Sequence, residues 1–347
     1  MVILGFVAPF LLGFVLNAMS PQSTVNVAPT AQSIPATPTD PNERLELGRK
    51  LNGLQGVNFP WHLKASYEVF DTAGKSQDKG TFEEWWVSER RYKLAYHSTQ
   101  FSQEEYSTDR GIFHSGDAGW PSSPVSLLRR AITEPLPLKV GDNWEQRNLE
   151  RKLGKTRFVC TALSQHTKNV DESSASFCFE PTTVVLRYSN TGDRVEQTLY
   201  NNIVLYRGRL IARDIQVMLL GNSSLSVHID TVEPLNDADF PATPNSATPI
   251  TRRVQLLSGE ISGHLVKKAF PKYPAEAKAQ GVQGMVIINA VISKEGYIQE
   301  PRVLAGPQLL QEPAMDAIRQ WVYQPYLVDG DPVEIETQIN VIFSLSK

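Results

Sequence analysis

Charge is absent from the start of this chain: no Lys, Arg, Asp or Glu precedes Asp40. Within that stretch, Val2 to Met19 is almost wholly apolar and carries no His. Such a run has the length of a signal-peptide core and reaches the lower limit for crossing a bilayer. Residues 1–20 are therefore read as a signal peptide or a membrane anchor. Residues 21–41, rich in Ser, Thr, Pro, Ala and Gln, read as a flexible tether. Neither sign of charge dominates the rest. Lys and Arg number 34 against 37 Asp and Glu, a net charge of −3 with the signs interspersed, so the basic footprint of nucleic-acid binding is missing.

Cysteine is scarce, with only Cys160 and Cys178. No His or further Cys stands at ligand spacing, which argues against a metal centre. Each Cys falls in an expected strand, and an even count in an exported chain favours a disulfide between neighbouring strands. Closing a loop of about 19 residues would stabilise the fold by roughly 3 kcal/mol. The six His are scattered singly, and no His-x-x-Glu-His, Gly-x-Ser-x-Gly or phosphate loop occurs. Asp329-Gly330-Asp331 lacks the other oxygen ligands of a calcium loop and reads as a turn. No catalytic residue, metal or cofactor is expected.

What is present is alternation. At 347 residues and 41% hydrophobic content the chain can build two domains. Over residues 42–233 a helix from Glu43 to Leu54 precedes strands at Trp61–Asp71, Gly80–Ser88, Arg91–Ser98 and Gly111–Ser115. A short helix at Val125–Ile132 follows. Further strands fall at Asn143–Leu153, Thr156–Gln165, Ser174–Glu180, Val184–Asn190, Arg194–Leu205, Leu210–Leu219 and Leu225–Val232. Consecutive strands with regular turn signals predict one large, curved antiparallel sheet or open barrel. Residues 234–258, with four prolines, read as a linker to a second domain at 259–347.

That second domain is expected to be a compact α+β unit ordered helix, strand, strand, helix, strand. Pro274 sits where proline opens a helix over Ala275 to Ala279. After Gly284, residues Val286, Ile288, Ala290 and Ile292 fall at period two and form a buried face. The opposite face, Met285, Ile287, Asn289 and Val291, is too apolar for water and calls for cover by a helix or a partner. Gly296 closes a hairpin turn. A helix from Gln308 to Val322 includes Trp321 in its apolar stripe and stops before Pro325. Val333 to Leu345 alternates again and closes the sheet.

These residues resemble the C-terminal domain of TonB-type energy transducers. The Tyr-Pro before the family's first helix falls on Tyr273 and Pro274. Its Gly-x-Val-x-Val strand falls on Gly284, Val286 and Ile288, and its turn glycine on Gly296. Its helix exit falls on Ala317, Ile318, Trp321, Tyr323 and Pro325. Phe270 stands where the family's best-known member has a glutamine that meets the receptor. The resemblance implies a non-enzymatic periplasmic module, anchored to the inner membrane or released. It would bind an outer-membrane transporter or another envelope protein by adding an extended segment to its last strand. Phe270, Tyr273 and Pro274 would then flank the partner, and Val333, Ile335, Thr337, Ile339, Val341 and Phe343 would carry it. The middle region, through Cys178-Phe179-Glu180-Pro181 and the paired strands after it, is similar to LolA-type half-barrels. That likeness implies an inner face able to hold a lipid acyl chain, and an alternative function as a lipid or lipoprotein carrier with the C-terminal unit as its docking module.

Overall fold

A computed structural model gives the fold and describes residues 33–117, 121, 124–137, 140, 144–165, 175–191, 196–250, 253–256, 261, 264–328 and 330–345. The expectation for residues 1–20, and most of the tether, lies outside the described residues. Helix α1 (Pro41–Leu51) leads into β1 (Trp61–Phe70), β2 (Ser76–Ser88), β3 (Arg91–Ser98), β4 (Ser102–Thr108) and β5 (Gly111–Gly116). A 3-10 turn at Val125–Leu127 runs into α2 (Leu128–Thr133). Strands β6 (Trp144–Leu153), β7 (Thr156–Gln165), β8 (Ala175–Phe179), β9 (Leu186–Thr191), β10 (Glu196–Tyr206), β11 (Arg209–Leu219) and β12 (Asn222–Pro234) follow. The chain continues through β13 (Thr248–Ile250), β14 (Arg253–Leu256), β15 (Leu265–Lys267), α3 (Ala275–Ala279), β16 (Gly284–Ile292) and β17 (Ile298–Ala305). It ends with α4 (Gln308–Ile318), β18 (Val322–Tyr323), β19 (Tyr326–Val328) and β20 (Asp331–Phe343).

The first thirteen strands form one antiparallel sheet in the order β13-β5-β4-β3-β2-β1-β12-β11-β10-β9-β8-β7-β6. The chain meanders outward from β1 to β5, crosses through α2, and meanders back from β6 until β12 lies beside β1. Alternation decides which face is inside. In β1, Trp61, Leu63, Ala65, Tyr67 and Val69 are buried while the residues between them are not. A single apolar cluster joins Phe82 and Tyr96 on one wing to Leu163 and Phe177 on the other, through Leu45 of α1 and Leu128 and Ile132 of α2. A sheet whose two wings meet the same helices is curved around them. Its hollow is therefore filled largely by its own helices.

Helix α1 begins where Asp40 accepts from the backbone N–H groups of Asn42 and Glu43, both at 2.9 Å. Its Arg44, 1% exposed, is held by the carbonyls of Pro38, Thr39 and Cys160 and by Asn148 Oδ1. A buried cation saturated by acceptors avoids the penalty of an unpaired one. The end of the predicted tether is fastened by the same means. Thr37 Oγ1 donates to Glu180 O and Val184 N–H to Pro35 O. On the convex side Cys160 and Cys178 stand directly opposite in β7 and β8 and form a disulfide, packed with Phe158 and Tyr188.

The C-terminal strands form a second sheet in the order β14-β20-β16-β17, with β19 also on β20. Val286, Ile288, Ala290 and Ile292 of β16 share a core with Leu310, Ala314 and Ile318 of α4 and with Ile335, Ile339, Val341 and Phe343 of β20. Helix α4 ends at Ile318, so Trp321 lies beyond it in the turn into β18 rather than in the helix. Pro274 is the residue before α3, its N-cap, rather than the first helical position.

The other face of β16 is covered by the molecule itself. Ile287, fully buried, and Ala305 belong to the core of the large sheet, with Met285 and Leu304 packed against it. Gln338 Nε2 donates to Glu196 Oε2 at 3.1 Å, and Arg302 to Pro121 O at 3.3 Å. The Pro-rich segment is likewise not a free tether. Its β13 pairs antiparallel with β5 of the large sheet, and its β14 pairs parallel with β20 of the small one.

Candidate functional site

The candidate site is the edge of β20 that faces away from β16. Strand β16 takes one side of β20 along its length, from Ile292 opposite Ile335 to Gly284 opposite Phe343. On the other side β14 pairs with Glu334 to Thr337, Arg253 opposite Glu334 and Leu256 opposite Thr337. Among the described residues no strand pairs with Gln338 to Phe343 on that side. Among the described residues, the edge expected to be free is thus taken over Glu334 to Thr337 by the chain's own strand and unpaired over Gln338 to Phe343. Beside the unpaired stretch, Asn340 Oδ1 is buried without a hydrogen-bond partner. An orphaned acceptor of that kind costs about 1–3 kcal/mol until something supplies a donor.

The side chains expected to carry a partner are mostly turned inward. Ile335, Thr337, Ile339, Val341 and Phe343 are all buried, and Val333 is half-buried on the same core. What β20 can offer outward is backbone, together with Ile342, 66% exposed on the opposite face. Near one end of the edge, Tyr273 rests edge-on against Phe343 with ring centroids 5.4 Å apart, and its hydroxyl donates to Val282 O at 2.6 Å. Pro274 is half-buried behind it. Phe270 projects into solvent, 83% exposed.

The residues of the helix-exit motif are brought together to brace the sheet. Trp321 Nε1 donates to Ala269 O at 2.8 Å, and Tyr323 N–H donates to Gly296 O at 2.8 Å. Gly296 has φ +89, and a Cβ there would lie 1.9 Å from Tyr323 O, so this turn requires glycine. Gly284 packs near Pro307, and Pro325 is exposed just before β19.

Strand β14 is held on β20 by charge as well as backbone. Arg253 Nε donates to Glu334 Oε2 at 2.9 Å and its guanidinium reaches Glu300 at 3.2 Å, with Arg253 and Glu334 both largely buried. Thr337 Oγ1 donates to Leu256 O at 2.9 Å, while Val254 and Leu256 pack on the small sheet's core. Sequence reasoning missed this strand. Its two apolar residues sit in a segment whose prolines signal a linker, and four residues are too few to display a period.

Where the two sheets meet, titratable side chains are buried beside hydrogen-bonding partners. Glu84, fully buried, accepts two hydrogen bonds from Arg129. Burial pushes its carboxyl up from the ordinary range, and Arg129 opposes that. Glu105 is likewise raised by burial, against the hydrogen bond from Tyr92. Arg130 clasps both oxygens of Glu196 at 2.6 Å. A cavity of about 360 Å3 lies here, bounded by Arg130, Glu196 and Tyr200 on one side and by Val254, Asn289 and Glu336 on the other.

Residues 269–345 match the family described as the Gram-negative bacterial TonB protein C-terminal. The match runs from before α3 to just past β20 and leaves β14 outside it. Protein TonB of Vibrio cholerae serotype O1 (strain ATCC 39315 / El Tor Inaba N16961) is 31% identical over 77 residues, 22% of this chain and 32% of that protein. The chain therefore spans about a third of the length of this curated relative. The solution structure of the Pseudomonas aeruginosa TonB CTD aligns with 24% of this chain and 86% of its own, at 24% identity and a TM-score of 0.22. A LolA superfamily protein from Nitrosomonas europaea aligns with 58% of this chain and 97% of its own, at 8% identity and a TM-score of 0.39. A DUF1329 family protein from Desulfovibrio piger covers 58% and 98% respectively, at 12% identity and a TM-score of 0.40. The C-terminal segment, residues 269–345, is TonB-like.

Proposed function

We propose that this chain is a non-enzymatic envelope protein of TonB type. Its C-terminal unit accepts an extended segment of an outer-membrane transporter, or of another envelope partner, on the outer edge of β20. In doing so it supports energy-coupled transmembrane transport from the periplasm, tethered to the inner membrane or released from it. The observation that carries this reading is that, among the described residues, no strand covers Gln338 to Phe343 on that edge, inside the segment that matches the family. Backbone N–H and C=O groups of an unpaired edge recruit a strand without needing side-chain chemistry. The opposite edge of the small sheet is less suited. Strand β17 carries Pro301, Glu300 at φ +47 and irregular pairing, devices that discourage strand addition.

The test is photo-crosslinking in cells with p-benzoylphenylalanine placed at Ile342 on the open edge or at Gln299 on β17. Crosslinks to an outer-membrane protein from position 342 and none from 299 are expected. Absence of crosslinks at 342, or equal yields at both, would overturn the reading. The carrier alternative has less support, because α1, α2 and the C-terminal sheet occupy the hollow and the cavity of about 360 Å3 described above is walled partly by Arg130, Glu196 and Glu336. A stoichiometric lipid extracted from the purified chain would favour the carrier instead.

A further inference from the structure

We propose that β14 is a resident placeholder on the receiving edge, occupying part of the site that a partner's strand takes and marking what that strand must look like. The inference rests on the reading of the β20 edge given above. It goes beyond it by naming a built-in competitor and the chemistry of the segment that replaces it.

Four observations converge. Strand β14 lies on the outer edge of β20, side by side with Glu334 to Thr337, so it uses the same backbone groups that strand addition would use. It lies outside residues 269–345, so the small sheet's family-matched elements include β20 but not its cover. Among the described residues it pairs over four positions, and no described strand pairs on that side with the six residues of β20 that follow. Its sequence is a pattern: Arg253 pairs with Glu334, Val254 and Leu256 enter the apolar margin of the small core, and Gln255 lies between them. A replacing segment would run parallel to β20, with a cation opposite Glu334 and apolar residues one and three positions later. It would continue past Thr337, gaining pairings with Gln338 to Phe343 that no described strand makes on that side.

The thermodynamics suit displacement. A strand tethered to its site competes at an effective concentration on the order of mM, so a short cover suppresses weak guests and yields to one that pairs along the whole edge. The apparent affinity of any guest falls by the fraction of molecules in which the edge is uncovered. Because β13, just ahead of β14, is an edge strand of the large sheet, lifting β14 also acts on the connection between the two sheets.

The experiment uses the full-length chain and a fluorescently labelled synthetic peptide spanning residues 250–258, read by anisotropy. Val254→Pro should loosen the resident strand, since proline in the middle of so short a strand disrupts its pairing. Arg253→Ala is the milder second variant should the first fold poorly, and thermal unfolding checks both. The wild type is expected to bind the peptide weakly and the loosened variants about tenfold more tightly. Adding Glu334→Lys to a loosened variant is expected to abolish the gain. Equal affinity in the wild type and in a folded loosened variant would overturn the proposal, as would a gain that Glu334→Lys leaves intact. The peptide is part of this chain, so the result does not depend on the outer-membrane partner. Crosslinking at position 342 without peptide exchange would sink the placeholder alone. Peptide exchange without crosslinking would sink the partner reading alone.

Discussion

At the scale of single residues, the TonB-like motif is a set of mutual braces rather than a set of contacts awaiting a partner. Gly296 is the clearest case. Gly296→Ala is expected to lower stability by roughly 2–4 kcal/mol, because both its φ of +89 and the approach of Tyr323 O exclude a side chain. Gly154→Ala is the control, at φ +59 with open space around it, and should cost clearly less in the same urea titration. Removing the Cys160–Cys178 bridge by a double Ser substitution is expected to cost roughly 3 kcal/mol. Glu105 provides a pH test. Its carboxyl is raised by burial, so the protonated form favours the fold. That contribution is complete below the ordinary carboxyl range and is lost as pH rises through the raised value. Glu105→Gln should therefore gain stability relative to the wild type as pH goes from about 5 to 8. Urea midpoints at the two ends would check this, and a difference that shrinks with pH would contradict it.

At the scale of elements, the sequence could be read wherever alternation was strong. Strands β3 and β7 begin and end at the expected residues, and β1 differs by one, because apolar residues at period two leave little choice of face. Strand β4 escaped notice because Ser102 to Thr108 is polar. Gln103 and Ser107 are buried on one face and Tyr106 on the other, and Gln103 donates to Asp117 O. Pairing between β3 and β5, not propensity, makes it a strand. Strand β14 was hidden by its prolines' neighbourhood, and its partner β20 is far along the chain. The spacing of Trp321 fits the stripe of α4 and so predicts a helical position, but the last turn opens at Arg319 and the indole then reaches Ala269 O. Trp321→Phe keeps an aromatic ring but loses that hydrogen bond and part of the buried indole, and a loss of about 2–4 kcal/mol is expected by thermal melting.

At the scale of the whole molecule, Ser33 to Lys347 forms one compact unit, and the apolar second face of β16 explains why. The sequence showed that this face needed cover but could not say from what. The large sheet supplies it, seating Ile287 and Ala305 in its own core. Ile287→Asp would bury an unpaired carboxylate at that seat, a cost of several kcal/mol. It is expected to separate the two sheets before either unfolds, exposing residues 234–258 to limited proteolysis. Cleavage there no faster than in the wild type would show that the seat is not what holds the sheets together.

The central claim is that β20 keeps an open edge beyond Thr337. Hydrogen exchange on the full-length chain tests it directly, amide by amide. The outward-facing amides of Gln338 to Phe343 should exchange rapidly although their side chains are mostly buried, while those of Glu334 to Thr337 under β14 are protected. Uniform protection through Phe343 would mean that the edge is already closed and has no place for an incoming strand.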